Sequence, residues 1–174
     1  MNNKLPSREQ AIELLRENHC PPIIISHCEV VAELALEIAV KLEKKGVKVN
    51  RELVEVGALL HDLGRSKSNG VDHGVIGANI ASSARLCEPL INIIKRHVGG
   101  GITTDEAEGF GWPKDVYVPV TLEEKIVSYA DKLIDQSKRV PIDLEIKKLK
   151  MEHKDKPAER IRKLHEEITH LLGN

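Results

Sequence analysis

Residues 51–64 read RELVEVGALLHDLG, and this stretch decides the fold. Its apolar residues recur at three- and four-residue spacing, which predicts an amphipathic helix with Asn50 as its N-cap. The polar pair His61 and Asp62 follows directly on the apolar face that residues 57–59 form. A buried carboxylate is unfavourable unless it is paired, protonated or bound to metal. The pair therefore indicates a polar site inside a helical protein.

The rest of the chain carries the same helical signals, and the sequence predicts an all-α fold. Aromatic residues make up only 2% of the 174 residues, so aliphatic side chains must fill the core, which favours stacked helices over a sandwich or barrel. Capping boxes and proline or glycine breakers set the helix boundaries. The predicted helices cover about residues 7–18, 23–45, 51–62, 73–86, 89–97 and 121–139, with one or two charged helices from residue 143 onward.

Four further polar residues project from apolar helical stripes: His27, His73, His97 and Asp131. Four inward histidines with two inward aspartates suit a transition-metal site better than plain packing. The side chains of consecutive helical residues point about 100° apart around the helix axis. The pair at 61–62 is therefore not expected to bind one ion together, as two histidines four residues apart can. A carboxylate can instead bridge two ions about 3.5–4 Å apart. The residues predict a crowded two-ion centre.

This ordered set resembles the HD superfamily of metal-dependent phosphohydrolases. The resemblance lies in His27, HDLG at residues 61–64, His97 and YADK around Asp131, and it runs from about residue 22 to residue 138. The segment VDHGVIGANIA resembles an element of two-metal members, such as the YqeK-like diadenosine tetraphosphatases and the cyclic-dinucleotide phosphodiesterases. The HxGGGIT and YxPxTLEEKIV segments resemble an archaeal-type branch.

The resemblance implies an HD-domain helical bundle with the metal site in its core. One domain would span residues 1–174, with a core at about 22–138 and a C-terminal helical extension at about 143–172. One or two divalent transition-metal ions would be Fe, Mn, Co, Ni or Zn, with Mg also compatible. A first ion would be held by His27, His61, Asp62 and Asp131, and a second by His73 and His97 with Asp62 as the bridge.

The activity that the resemblance implies is hydrolysis of a nucleotide or other phosphoester or phosphoanhydride by a metal-activated water. Asp62 would orient the water, and Arg65 and Lys67 are candidates for binding phosphate, although both also fit ordinary solvated loop charges. Two alternatives stay open. One is a di-iron oxygenase of the same superfamily, and the other is an HD module that senses a nucleotide without turnover.

Composition argues against several other classes of function. The 27 acidic and 26 basic residues nearly cancel, so no strong nucleic-acid signal is present, and no apolar run reaches membrane-spanning length. The three cysteines form no CxxC pair, and the first ten residues do not resemble a signal peptide. We expect a cytoplasmic protein with a small phosphorylated substrate. The apolar side of the last helix is expected to pack on the core or on another subunit, which would make a homo-oligomer.

Two expectations concern residues near the site. Residues 98–120 contain several glycines and prolines and are predicted to form a long loop that borders the mouth of the site as a lid. His165 and His170 lie near charged residues in the last predicted helix and are expected at the surface.

Overall fold

The computed structural model describes residues 5–173, and within them the fold is all-α, as the sequence predicts. A two-stranded sheet is the sole sheet among these residues. Two short 3₁₀ turns lie at Leu63–Ser66 and Val98–Gly100. The helices and strands are α1 Arg8–Glu17, α2 Pro22–Lys44, α3 Arg51–Leu60, α4 His73–Ser83, α5 Glu88–Arg96, α6 Thr104–Gly109, α7 Leu122–Lys132, β1 Ile134–Asp135, β2 Lys138–Arg139, α8 Ile142–Met151 and α9 Asp155–Leu172.

The predicted caps form where the sequence places them. Ser7 and Thr121 each accept from the third helical residue, whose side chain in turn reaches back to the cap. The side chain of Asn50 accepts from the backbone N–H of Leu53 at the start of α3. These contacts satisfy N–H groups that the first turn of a helix leaves unpaired, which explains why the helices begin at these residues.

A single large apolar cluster joins α1, α2, α3, α5, α7 and α9, and its side chains are almost entirely aliphatic. Close approach between α3 and α5 depends on Gly57, where a Cβ would lie 2.6 Å from the Ile93 side chain. The apolar side of α9 is buried through Ile161, Leu164 and Ile168, so this helix packs on the core.

No described helix is long and apolar enough to cross a membrane.

The structure departs from the predicted helix at residues 121–139. Helix α7 ends at Lys132, and the chain continues as an antiparallel hairpin in which Ile134 pairs with Arg139. Gln136 adopts a left-handed backbone with φ 54° at the turn. Glycine is the usual signal for that conformation, and a glutamine there gives no warning that the helix has ended.

The second departure is the segment 98–120, which was expected to be a long loop and contains regular structure. It contains α6 and an isolated β-bridge between Ile102 and Tyr117. A small apolar cluster holds it together, with Trp112 packed against that cluster. The segment lies on α9, where Arg160 forms an ion pair with Glu106 at 3.2 Å.

Candidate metal centre

The fold brings all six predicted ligands together. His27 lies within α2 and Asp131 within α7, while His73 opens α4. The other three follow the last residues of α3 and α5: His61, Asp62 and His97. The side chains of His61, Asp62, His73 and His97 are all less than 10% exposed. Histidines and aspartates from five helices thus meet in the interior.

Asp62 lies between two groups of histidines. Its Oδ1 atom lies 3.2 Å from His73 Nε2 and 3.4 Å from His97 Nε2. Its Oδ2 atom lies 3.7 Å from His61 Nε2. The two oxygens of one carboxylate therefore face different histidines.

Asp131 gathers the remaining ligands on the side of His61. Its Oδ1 atom lies 3.0 Å from His27 Nε2 and 3.4 Å from His61 Nε2. Two sets of three residues bring their ligand atoms within 4.8 Å of one another. These sets are His27, His61 and Asp131, and His61, Asp62 and His97.

The neighbouring ligands His61 and Asp62 do not diverge as the sequence argument expected. That argument assumed a helix through both residues, but α3 ends at Leu60, and Asp62 has φ −95° and ψ 17°. The backbone of His61 is still helical and the chain leaves the helix at Asp62, and both side chains lie in the same site.

All four histidines donate a hydrogen bond from Nδ1 to a backbone carbonyl. In His61, His73 and His97 the acceptor is the carbonyl three residues earlier, at 2.7, 2.6 and 2.8 Å. His27 differs, because its Nδ1 donates to the carbonyl of Gln136 in the hairpin, at 2.7 Å. A carbonyl can only accept, so each Nδ1 carries a proton. In the neutral ring each Nε2 then offers a lone pair, and such carbonyl partners fix the orientation of ligating histidines.

The convergent Nε2 atoms fit a metal. His61 Nε2 is buried and has no hydrogen-bond partner among the described residues. His73 Nε2 and His97 Nε2 lie 3.0 Å apart, so two neutral rings would direct their lone pairs at each other. A cation that accepts these lone pairs would give His61 Nε2 a partner and would remove the repulsion between His73 Nε2 and His97 Nε2. The donor set of imidazole and carboxylate suits a divalent transition metal.

The charges in the centre support the same conclusion. Burial opposes ionisation of Asp62, but the neighbouring His61 holds its pKa well below the usual range. Burial also opposes ionisation of Asp131, where Lys132 keeps the pKa low. Burial lowers the pKa of His97 to about 4, so this ring is neutral at pH 7. Two carboxylates and a neutral imidazole are therefore available to a cation.

The groups around His61 favour the protonated form of its imidazole. Burial alone would lower the pKa of this imidazole, but Asp62, Cys28 and Asp131 together outweigh burial and raise the pKa well above the usual value. Without a metal ion, the carboxylates therefore attract a proton to His61. Because a metal ligand must be deprotonated, protons and metal ions compete for this ring.

Four cations lie close to the candidate ligands in the sequence, and the structure places them differently. Arg65 lines the central cavity and lies 3.3 Å from Asp62 Oδ1. Lys132 also lines it, with Nζ 2.6 Å from Asp131 Oδ2. Arg96 instead pairs with buried Glu124 at 2.9 Å. Lys67 is exposed, and the structure does not place it among the residues that line the cavity.

The ligands open into a cavity of about 420 Å³. Sequence reasoning missed most of its outer wall, which comes from the hairpin and α8. Val98 is the sole residue of segment 98–120 on the lining, so the predicted lid borders the cavity at one position. We call the missed set the C-terminal wall, and its residues are Ile134, Asp135, Gln136, Val140, Leu144, Glu145 and Lys148.

Comparison with known proteins shows the family to which the chain belongs. Residues 24–134 match the model of the HD domain, and this range contains all six ligands. The chain belongs to the HD domain family. An uncharacterized protein of Methanocaldococcus jannaschii is 46% identical over 166 residues, covering 94% of this chain and 98% of that relative.

Other HD relatives differ in length or are more distant. A tRNA (cytidine(56)-2'-O)-methyltransferase of Picrophilus torridus is 36% identical over 169 residues, which cover 97% of this chain and 48% of the relative. The chain thus spans about half the length of that protein. The HD domain of the L. monocytogenes phosphodiesterase PgpH, solved in complex with cyclic-di-AMP, shares the fold with a TM-score of 0.58. It is 22% identical, and the match covers 92% of this chain and 96% of that one.

Proposed function

We propose that this HD domain is a metal-dependent phosphohydrolase that acts on a nucleotide or another phosphoester or phosphoanhydride. The observation that carries the proposal is the arrangement around Asp62. One oxygen of this carboxylate faces His73 and His97, and the other faces His61. That arrangement suits a carboxylate bridging two divalent ions.

The residues divide into two ligand sets with one shared member. In the proposal, a first ion is held by His27, His61, Asp62 and Asp131. A second is held by His73 and His97, again with Asp62. Two ions supply Lewis acidity, which activates a water molecule and neutralises charge on the phosphoryl oxygens.

The protein's own groups prepare the centre for a phosphoryl group. The carbonyl partners at Nδ1 hold the imidazoles in one tautomer and one orientation, so little reorganisation is needed when substrate binds. Arg65 is held between Asp62 Oδ1 and the carbonyl of Asn69, at 3.3 and 2.9 Å. Lys132 is held by Asp131. Both cations line the cavity, where they favour an anionic substrate.

The comparisons are compatible with this activity at a coarse level. PgpH is named as a phosphodiesterase, and its HD domain binds a cyclic dinucleotide. The Picrophilus torridus relative is named for methyl transfer, but the match leaves about half of that protein outside the shared region. We assign methyl transfer in that relative to its other half and propose that this chain does not carry it.

A metal and substrate panel tests the proposal. The purified protein is freed of metal and reloaded with Mn, Fe, Co, Ni, Zn or Mg. We expect it to hydrolyse phosphoesters, which is measured as release of phosphate or of nitrophenol. Asp62→Asn should lose at least about a hundredfold in kcat, because it removes the negative charge of the proposed bridging group. Methyl transfer from S-adenosylmethionine to tRNA is expected to be absent.

Other outcomes would contradict the proposal. Oxygen consumption with an organic substrate, and no phosphoester turnover, would favour the oxygenase. Tight nucleotide binding without turnover under any of the metals would favour a sensing module.

A further inference from the structure

The C-terminal wall lies beyond the part of the chain that defines the family. The HD domain match ends at residue 134, whereas six of the wall residues follow it. Apart from the Gln136 carbonyl, which orients His27, the hairpin and α8 therefore add a surface to the cavity that does not contact the proposed ligands. A surface of this kind can select the substrate rather than perform the chemistry.

One part of the lining is apolar and open to solvent. Leu144 on the C-terminal wall is 55% exposed, and Ile23 at the start of α2 is 57% exposed. Both line the cavity together with Ile24 and Val140. Large aliphatic side chains that remain exposed beside a polar site are suited to covering the apolar face of a ligand.

The charged residues of the same wall can bind an anionic group and a hydrogen-bond donor of a ligand. Lys148 is exposed and lines the cavity, and it takes part in no ion pair among the described residues. The cation is therefore available to an anion. Glu145 lies one helical turn earlier and also lines the cavity, where it can accept from hydroxyl or amino groups.

We propose that the C-terminal wall is a second subsite, which binds the part of the substrate that lies away from the metal centre. Its ligand is an organic group with an apolar face, hydrogen-bond donors and a further anionic group, with the apolar face against Leu144 and Ile23 and the anion at Lys148. The cavity volume of about 420 Å³ falls in the range of roughly 300–1,000 Å³ that is typical of small-molecule sites. This inference rests on the proposed function, because it assumes that a phosphate occupies the metal centre.

Binding measurements test the subsite without requiring turnover. Manganese-loaded protein is titrated with thymidine 3′,5′-bisphosphate, which carries two anionic groups on an organic body, and separately with inorganic phosphate. Leu144→Ser and Lys148→Ala are each expected to weaken bisphosphate binding about three- to tenfold, since each removes one modest contact. Neither should change the affinity for inorganic phosphate, which reaches only the metal centre.

Matched controls lie on the same helix. Met151→Ser removes another exposed apolar side chain, and Lys150→Ala another exposed cation, but neither residue lines the cavity. Both controls should bind the two ligands like the parent protein. All four variants change exposed side chains, and their folding is checked by thermal unfolding.

The outcomes separate the subsite from the proposed function. The subsite is refuted if the parent protein binds the bisphosphate no more tightly than phosphate, or if the wall variants behave like the controls. Loss of phosphoester turnover alone would leave the binding pattern intact and would refute only the hydrolase. Absence of binding by both ligands in metal-loaded protein would refute both.

Discussion

Among the single residues, Asp62 is central to the proposed metal centre. Its two oxygens face different histidines, so the two ligand sets can be separated by mutation. We predict that His73→Ala or His97→Ala leaves about one metal ion per chain, while Asp62→Ala abolishes metal binding. Turnover should fall at least about a hundredfold in each, because a lost ion removes transition-state stabilisation of several kcal/mol. Metal analysis of dialysed protein, with kcat on a phosphoester, measures both.

The control for this series follows from the structure. His170 is exposed on α9, and His170→Ala should keep the full metal content and turnover. His165 is unsuitable, because it is partly buried and its Nδ1 lies 2.7 Å from the hydroxyl of Tyr129, contrary to the expected surface position. Full metal content and turnover in His73→Ala and His97→Ala would show that the second ion does not exist. A mononuclear site of His27, His61, Asp62 and Asp131 would then remain.

At the scale of elements, the approach of α4 to the turn after α3 sets the distance between Asp62 and His73. Gly64 makes this approach possible, since a Cβ there would lie 1.9 Å from the backbone oxygen of His73. We predict that Gly64→Ala pushes α4 away, costs about 1–3 kcal/mol of unfolding free energy and lowers the metal content. Urea unfolding and metal analysis of the same preparation measure the two effects.

The matched control for that element is Gly109→Ala at the end of α6. A Cβ at Gly109 would meet nothing within 4 Å, so stability and metal content should remain those of the parent. If Gly64→Ala binds two ions with parental affinity, the contact between the turn and α4 does not position the ligands.

At the scale of the whole molecule, the centre ties together five helices. Its ligands come from α2, the ends of α3 and α5, the start of α4 and α7. Binding that is specific to the folded state adds about 2.7 kcal/mol when free metal is 100-fold above Kd. We therefore predict that a chelator lowers the Tm by about 5–11 °C, using the usual 2–4 °C per kcal/mol for a chain of this size.

Calorimetry before and after metal removal measures this shift. Asp62→Ala should show no chelator-dependent change, because it binds no metal in the first place. An unchanged Tm in a parent protein that has demonstrably lost its metal would mean that the ligand cluster is held by packing alone.

The helical class and a set of six candidate ligands that meet in the fold could be predicted from the sequence alone. Helical periodicity and capping are local, so they can be read without the fold. The six ligands stood out because histidines and aspartates on apolar faces are unfavourable unless something in the core binds them. Errors in the predicted helix boundaries do not remove this signal, because it depends on residue type and spacing.

The orientation of His27 and the composition of the cavity wall became visible only in the tertiary structure. The hairpin turns at Gln136, a residue that carries no turn signal, and its carbonyl orients His27 from 109 positions away. The convergence of His61 and Asp62 occurs where the chain leaves α3. The wall around Lys148 exists because the chain after α7 folds back over the ligands. Contacts between residues far apart in sequence leave no local pattern, which is the physical reason that sequence reasoning missed them.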